Sequence, residues 1–377
     1  MRIGINLLYL LPNHVGGTQT YAEGLIQGLA SIDKDNEYCL FVNLEAENLQ
    51  LTDAPNVRKV VCPVRASSRR ARYLYEQLQL PQRIKREGIE LLHSCGYVGP
   101  LWPACPHIVT VHDLNYIAFG NQMEASRRLM LAFLVPRIAR RAARVIAVSE
   151  FTRQELIVHI GLKKEQICVI HEAPKARPPC PKQKLQEVRQ QFGLDGPYLL
   201  AFSSLSPHKN IPFLLEGFSK IASIYSYPLV LVGHTPPGSE VEQKIEQLGL
   251  GDRVIRTGYV ADDVVSALLD GATLFVFPSK YEGFGLPILE AQQAGVPVVC
   301  SQVASLPEVA GEGALYFDPH SQTSLLSALR TALDDDSIRK ALRQKGYANV
   351  ARFSWKKAAE ETLALYKAVL YNSNRKG

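Results

Sequence analysis

No two cysteines in this sequence are spaced C-x-x-C, and the seven present are scattered from Cys39 to Cys300. An odd, dispersed set argues against a disulfide framework or a structural zinc site and favours a reducing compartment. No apolar run approaches the roughly 20 residues that a membrane-spanning helix needs. The apolar start, Met1 to Leu8, is too short and wrongly flanked for a signal peptide, and reads as a buried first strand. The pattern G-x-G-x-x-G is missing, no Asp or Glu ends a second strand in a ribose-binding position, and there is no Walker A lysine. A nicotinamide site and a P-loop are therefore not supported. No nucleic-acid reader motif accompanies the basic residues, so nucleic acid is not an expected partner. Short-period repeats and low-complexity segments are also missing. The expected location is cytoplasmic, with peripheral contact to the inner face of the cell membrane.

What is present is a globular composition. Of the 377 residues, 46% are hydrophobic and 21% charged, which suits one oversized domain or two ordinary ones. Short apolar runs at residues 3–8, 38–43, 91–93, 107–111 and 145–148 are rich in Val, Ile and Leu without polar alternation. A second series follows at 198–202, 229–232, 254–257, 274–277 and 297–300. Such runs fit parallel strands buried on both faces. Helical patterns lie between them, as at 18–31, where Tyr21, Ala22, Leu25, Ile26 and Leu29 share one face, and at 184–192, 211–225, 240–248 and 264–270. The alternation predicts an α/β fold of doubly wound parallel sheets. Between the two series, residues 173–181 hold four prolines, which no helix or central strand accommodates. The expected division is a domain over 1–173, a linker over 174–183, a second domain over 184–354 and a surplus helix over 355–377.

The net charge is +6, and its distribution is uneven. Residues 126–144 hold Arg127, Arg128, Arg137, Arg140, Arg141 and Arg144 with no acid. A second basic cluster contains Arg65, Arg69, Arg70, Arg72, Arg83, Lys85 and Arg86. Solvated helix faces are one reading; attraction to anionic lipid or to a phosphate-bearing acceptor is the other.

Several residues could carry chemistry. Gly16-Gly17-Thr18 follows the first strand and opens the first helix. Glycines there let a ligand approach the backbone, and helix-start N–H groups favour an anion, although an ordinary β–α turn has the same look. Thr20 and Glu23 have capping-box spacing. His112-Asp113 closes a strand at its carboxyl end, where parallel sheets hold ligands; Asp113 fits a loop-orienting role. Lys209-Asn210 precedes a helix, where a lysine can reach phosphates over the helix N-terminus. The most specific feature is Glu282-Gly283-Phe284-Gly285-Leu286-Pro287-Ile288-Leu289-Glu290. It places Glu282 in a loop and Glu290 in the first turn of a helix entered through Pro287. Carboxylates accept paired hydrogen bonds from vicinal hydroxyls, so a hydroxyl-rich, phosphate-bearing ligand such as a nucleotide sugar fits. Asp33-Lys34-Asp35 has the look of a metal-binding D-x-D but lies in a polar turn on the wrong side of the sheet. Asp334-Asp335-Asp336 reads as solvated surface at a helix end.

Together these motifs resemble the retaining glycosyltransferases of family 4. The likeness runs through Gly16-Gly17, Thr110-Val111-His112-Asp113-Leu114, Ala147 to Thr152, Leu205 to Asn210, Gly258-Tyr259-Val260, the E-x7-E stretch ending at Glu290, Ser305 to Val309 and Phe353-Ser354-Trp355. It is most like members that build polysaccharide or lipopolysaccharide chains. The resemblance implies the GT-B fold: two Rossmann-like domains facing across a cleft, the activated sugar held by the C-terminal one, the acceptor by the N-terminal one, and the last helix crossing back to the first domain. It implies that His112, Lys209 and Glu282 are catalytic, with Lys209 neutralising the diphosphate and His112 lining the sugar pocket. Glu282 and the backbone of Phe284, Gly285 and Leu286 would grip the donor sugar, and Glu290 the ribose. Tyr259 and Val260 would lie near the base, and Gly17, Ser204 and Asn210 would also bind the donor. Gly17, with Gly16 and Asp113, would form the acceptor and phosphate loop. Many relatives have Gly-Arg where this chain has Ser203-Ser204, which shifts leaving-group stabilisation onto Lys209, the helix N-terminus and His208. A subset of relatives has a small residue there and an arginine at the position of His208.

The expected reaction moves a hexose from a nucleoside diphosphate sugar to a glycan or lipid-linked hydroxyl with retention. No metal and no cofactor are expected, because fixed positive groups serve the diphosphate. UDP-glucose and GDP-mannose are the donor candidates, in that order. The competing readings are a nucleotide-sugar epimerase or phosphorylase on the same architecture, and a catalytically weak nucleotide-sugar-binding scaffold.

Overall fold

The computed structural model describes residues 1–12 and 16–374, and the chain divides into two compact units. The first comprises Met1–Ala173 and the segment from Phe353 onward; the second is Pro174–Arg352. The proline-rich stretch thus opens the second unit, and Arg177 anchors it there by an ion pair with Asp270 at 2.8 Å.

The first unit is built on seven strands: β1 (Arg2–Asn6), β2 (Glu37–Val42), β3 (Val57–Val61), β4 (Leu91–Ser94), β5 (His107–Val111), β6 (Arg144–Ala147) and β7 (Ile167–Val169). They pair in the order β3-β2-β1-β4-β5-β6-β7, every pair parallel. The second unit has β8 (Leu199–Phe202), β9 (Leu229–Val232), β10 (Val254–Gly258), β11 (Leu274–Phe277), β12 (Val298–Ser301) and β13 (Ala314–Phe317), in the order β10-β9-β8-β11-β12-β13 and again parallel. Each sheet therefore has a topological switch point, between β1 and β4 in the first and between β8 and β11 in the second. In such sheets ligands bind beyond the carboxyl ends of the strands at that point.

Helices cover both faces. In the first unit, helix Gly17–Ile32 buries Tyr21, Leu25 and Leu29 against a core that also takes in Ala359, Tyr366 and Val369 of the last helix, Trp355–Asn374. That contact depends on two glycines one turn apart. A Cβ at Gly24 would lie 2.1 Å from the Trp355 ring, and one at Gly28 would lie 2.6 Å from the Trp355 carbonyl oxygen. Deep in the same packing the Tyr366 hydroxyl meets His93 Nδ1 at 2.6 Å, while His93 Nε2 meets Thr110 Oγ1 at 2.8 Å. Burial drives the His93 pKa down to about 3, so the ring is neutral.

The two expected central series of strands form, and three further strands join them at or near the sheet edges. β3 is interrupted by Arg58 and Lys59, β7 is only three residues long, and β13 mixes half-buried with buried positions. β3 lacks the continuous apolar run of the central strands, and β7 is too short to show one. The helix expected over 211–225 stops at Ile221. The capping box expected of Thr20 and Glu23 does not form: the N-cap is Gly16, Thr20 is buried, and Glu23 instead accepts from Gln19 Nε2 at 2.7 Å. Asp33 is buried and accepts from Asn36 Nδ2 at 2.6 Å and the Tyr38 hydroxyl at 2.5 Å, so it organises the turn into β2. Asp335 is not merely solvated; it caps helix Asp336–Val350 by accepting from the Ser337 N–H at 2.8 Å.

Candidate functional site

In the second unit the candidate residues converge on the β8/β11 switch point. After β8 the chain runs through Ser203 and Ser204 to a short turn, Pro207–Lys209, and enters helix Ile211–Ile221. Asn210 supplies the left-handed residue of that entry (φ 56°), and its buried side chain donates to the Pro319 carbonyl at 3.2 Å. Asn210 thus fixes the direction from which Lys209 leaves the backbone. After β11 the chain passes Pro278 and Ser279 to Glu282. There the two loops meet: Lys209 Nζ lies 2.6 Å from Glu282 Oε1, and its ammonium stands 5.3 Å from the Phe277 ring centre. The Lys280 N–H also donates to the His208 carbonyl at 2.7 Å, so backbone joins the two loops as well.

The glycine-rich loop is clamped from below. Ser305 Oγ contacts the carbonyls of Glu282, at 2.9 Å, and Phe284, at 2.7 Å. Gly285 then adopts a left-handed conformation (φ 109°) as the N-cap of helix Leu286–Gln293, and a Cβ there would press on Leu306 at 2.9 Å. Only glycine satisfies both conditions. The positive end of this helix faces the loop. Glu290 falls in the second turn of the helix, not the first, since the helix begins at Leu286. Desolvation pushes its pKa up to about 7; Lys175 and Arg177 pull the other way and Asp262 adds to the rise.

Beyond β9 and β10 the sheet end carries backbone of unusual shape. Gly233 (φ 127°) could not carry a Cβ, which would lie 2.1 Å from the Ser203 carbonyl oxygen. Its N–H donates to the Gly258 carbonyl at 3.1 Å. Tyr259, 62% exposed, stacks on the exposed His234 at 6.0 Å between ring centres, while Val260 turns inward against the core. Ser204 Oγ accepts from the Ser206 N–H at 3.2 Å and so serves the loop's own geometry.

In the first unit, Gly16 is extended and caps helix Gly17–Ile32, as the glycine pair suggested. Asp113 accepts from the Asn115 N–H at 2.9 Å, a loop-orienting turn. His112 is buried with both ring nitrogens engaged: Nδ1 with Glu172 Oε1 at 2.8 Å and Nε2 with the Cys95 carbonyl at 2.8 Å. A carbonyl and a carboxylate both accept, an arrangement that favours a proton on each ring nitrogen. Burial alone would depress its pKa, but the hydrogen bond and charge of Glu172 outweigh that and raise it. Tyr21 meets the ring edge-on at 4.8 Å.

Several participants carried no signal as single residues. Glu172 stands 60 positions from His112. His234 lies outside every motif. Ser305 belongs to the Ser305–Val309 motif, but its hold on the glycine-rich loop needs the fold to be seen. Members of the arginine cluster at 126–144 differ in what they touch: Arg140 donates twice to the Ile160 carbonyl, Arg128 donates to Asn121 Oδ1 and Arg137 to the Phe133 carbonyl, and all three are exposed.

Comparison with known proteins agrees with this geometry. Residues 15–173 match the model of Glycosyltransferase Family 4, and residues 183–349 that of Glycosyl transferases group 1. The O-antigen chain mannosyltransferase B of Escherichia coli is 32% identical over 69% of this chain and 70% of its own length. The chain belongs to glycosyltransferase family 4. A second relative of this family, the serotype-specific mannosyltransferase WbdA of Escherichia coli, is 30% identical over 62% of this chain; the match spans 30% of that longer protein. Among solved structures, HepE of Anabaena in complex with UDP and glucose superimposes with a TM-score of 0.75 at 19% identity, covering 98% of this chain and 100% of that one. The fold of this family 4 glycosyltransferase is GT-B, with two Rossmann-like domains. No helix among its described residues is long and apolar enough to cross a membrane.

Proposed function

We propose that this glycosyltransferase moves mannose from GDP-mannose to a hydroxyl of a glycan or lipid-linked acceptor, with retention at the anomeric carbon, in polysaccharide synthesis. Of the two donor candidates, the mannosyl names of the relatives favour GDP-mannose over UDP-glucose. The observation that carries the reading is the Lys209–Glu282 pair astride the β8/β11 switch point. A lone ammonium there would attract any anion; a lysine already matched to a carboxylate selects a ligand that offers both a diphosphate and hydroxyls. On binding, the diphosphate takes over Lys209 and Glu282 turns to the hydroxyls of the donor sugar. Glu290 accepts from the ribose hydroxyls, and the Tyr259–His234 edge meets the base.

In the reaction the bond between the anomeric carbon and the diphosphate oxygen breaks, and the acceptor oxygen bonds to that carbon from the same face. The departing phosphate oxygen takes the acceptor proton. Negative charge grows on the diphosphate, and Lys209 with the N-termini of helices Ile211–Ile221 and Leu286–Gln293 stabilises it as a preorganised field. These fixed charges let the reaction proceed without a divalent cation or other cofactor. His112, as imidazolium, adds positive charge in the first unit.

The protein works in the cytoplasm at the inner membrane face, docking through helix Ala125–Arg141. Leu129 and Phe133 are 70% and 50% exposed there, beside Arg128 and Arg137. The reading is tested by melting the full chain with GDP-mannose and with UDP-glucose. A ligand of the folded state at 100 times its Kd adds about 2.7 kcal/mol and raises the midpoint. A shift with GDP-mannose, followed by mannosyl transfer with EDTA present, is the expected result. No shift with either nucleotide sugar would overturn it.

A further inference from the structure

The switch point of the first sheet has its own polar centre, distinct from the donor residues. Asn6 at the end of β1 donates through Nδ2 to Ser94 Oγ at the end of β4, at 3.2 Å, and to Glu76 Oε1 at 3.4 Å. Glu76 comes from helix Arg69–Leu78 and is 1% exposed. Its Oε2 is buried with no hydrogen-bond partner, and the same is true of Arg72 Nε, one turn earlier. Both residues line a cavity of about 210 Å³, whose walls also include Arg69, Arg127, Tyr9 and Tyr97. Burial raises the Glu76 pKa, and the charge of Arg72 and the hydrogen bond from Asn6 only partly counter it.

A buried carboxyl oxygen and a buried guanidinium N–H without partners are each costly in a dry interior. The ligand that relieves both offers a hydroxyl to Glu76 and anionic oxygens to Arg72. Three arginines against one carboxyl leave the lining positive, so an uncharged sugar matches only part of it. A hydrocarbon chain matches none of it.

We propose that this cavity is the acceptor subsite and that the acceptor headgroup is a phosphorylated sugar, its phosphate on Arg72 and Arg127 with Arg69 at the rim, and one of its hydroxyls on Glu76. The assignment to the acceptor rests on the glycosyltransferase reading above; the chemical class of the ligand rests on the cavity. Arginine presents a planar fork to phosphate, and such charge-assisted bonds are about twice as strong as neutral ones.

The test uses the full chain in two arms. In solution, mannose 1-phosphate, mannose and inorganic phosphate are titrated calorimetrically. On membranes, neutral phosphatidylcholine vesicles are compared with and without a prenyl-phosphate-linked mannose. Binding in the first arm identifies a free phosphosugar, and binding only in the second a lipid-linked one. In the arm that binds, Arg72→Ala and Arg127→Ala are each expected to weaken affinity about tenfold or more. Glu76→Gln should weaken the phosphosugar while leaving inorganic phosphate unchanged. The GDP-mannose melting shift should survive in all three variants, which shows that they fold. The proposal is overturned if mannose binds as tightly as its phosphate, if neither arm binds, or if both arginine variants bind like the parent. Arginine-dependent phosphosugar binding in a chain that transfers no sugar would sink the functional reading and leave the ligand class of the cavity standing.

Discussion

Lys209 Nζ and Glu282 Oε1 stand 2.6 Å apart, 73 positions distant in sequence and on opposite sides of the β8/β11 switch point. Their side chains keep 24% and 14% exposure, so the pair is neither dry nor fully screened. On the proposed reading, Glu282 competes with the diphosphate for Lys209 and is itself released when the diphosphate binds.

That competition has a measurable sign. Glu282→Gln leaves Lys209 unmatched, so GDP alone should bind tighter than in the parent, by about threefold to tenfold for a partly exposed pair. Transfer should nevertheless fall at least a hundredfold, because the donor sugar loses its carboxylate. Calorimetry with GDP and a transfer assay separate the two effects. Weaker GDP binding in Glu282→Gln would contradict the competition.

The proposed ribose role of Glu290 predicts a pH dependence of donor binding. Its ligand-free pKa is raised to about 7 by desolvation, so near neutrality it is half protonated. Hydroxyls that donate to it favour the ionised form and lower its pKa in the complex. The GDP-mannose affinity should therefore climb between pH 6 and pH 8 and level off above pH 7, falling roughly tenfold per unit well below it. Glu290→Gln should bind more weakly and flatten the profile. A parent profile flat from pH 6 to pH 8 would remove Glu290 from the ribose.

His112 and Glu172 make the stability of the first unit depend on pH in the opposite sense. The His112 pKa is raised on folding, so the pair's contribution is complete below the unfolded value near 6.5 and is lost as pH rises through the folded value. Glu172→Gln should cost about 1–3 kcal/mol at pH 6 and less at pH 9, read from urea unfolding. An equal loss at both would mean the histidine is not charged in the fold.

The docking of the last helix rests on Gly24 and Gly28. At Gly28 a methyl group meets the Trp355 carbonyl, which cannot rotate away. Gly28→Ala should lose about 1–3 kcal/mol through overpacking, despite the better helix propensity of alanine. A urea midpoint at or above that of the parent would show that the helix pair has room to spare.

How much of this was legible depends on where the information lies along the chain. Central strands such as Leu229–Val232 and Leu274–Phe277 are buried on both faces and announce themselves as unbroken apolar runs. β3 is an edge strand whose consecutive residues Arg58 and Lys59, on opposite faces, are both exposed, so its pattern dissolves into that of a loop. Lys209, Glu282 and Glu290 stood out because local glycine, proline and carboxylate spacing reflects local backbone demands. Glu76 did not, since its meaning comes from Asn6, Ser94 and Arg127, which only the parallel crossover brings near. The Gly24–Gly28 spacing was visible one turn apart, but its partner Trp355 lies more than 300 residues on.

The central claim is that Lys209 stabilises the diphosphate as it leaves. The most direct measurement is single-turnover mannosyl transfer from GDP-mannose by Lys209→Ala, in a protein shown to melt like the parent. The account predicts a rate lower by about a hundredfold to a thousandfold, with donor affinity changed far less. A transfer rate within a few-fold of the parent would contradict it.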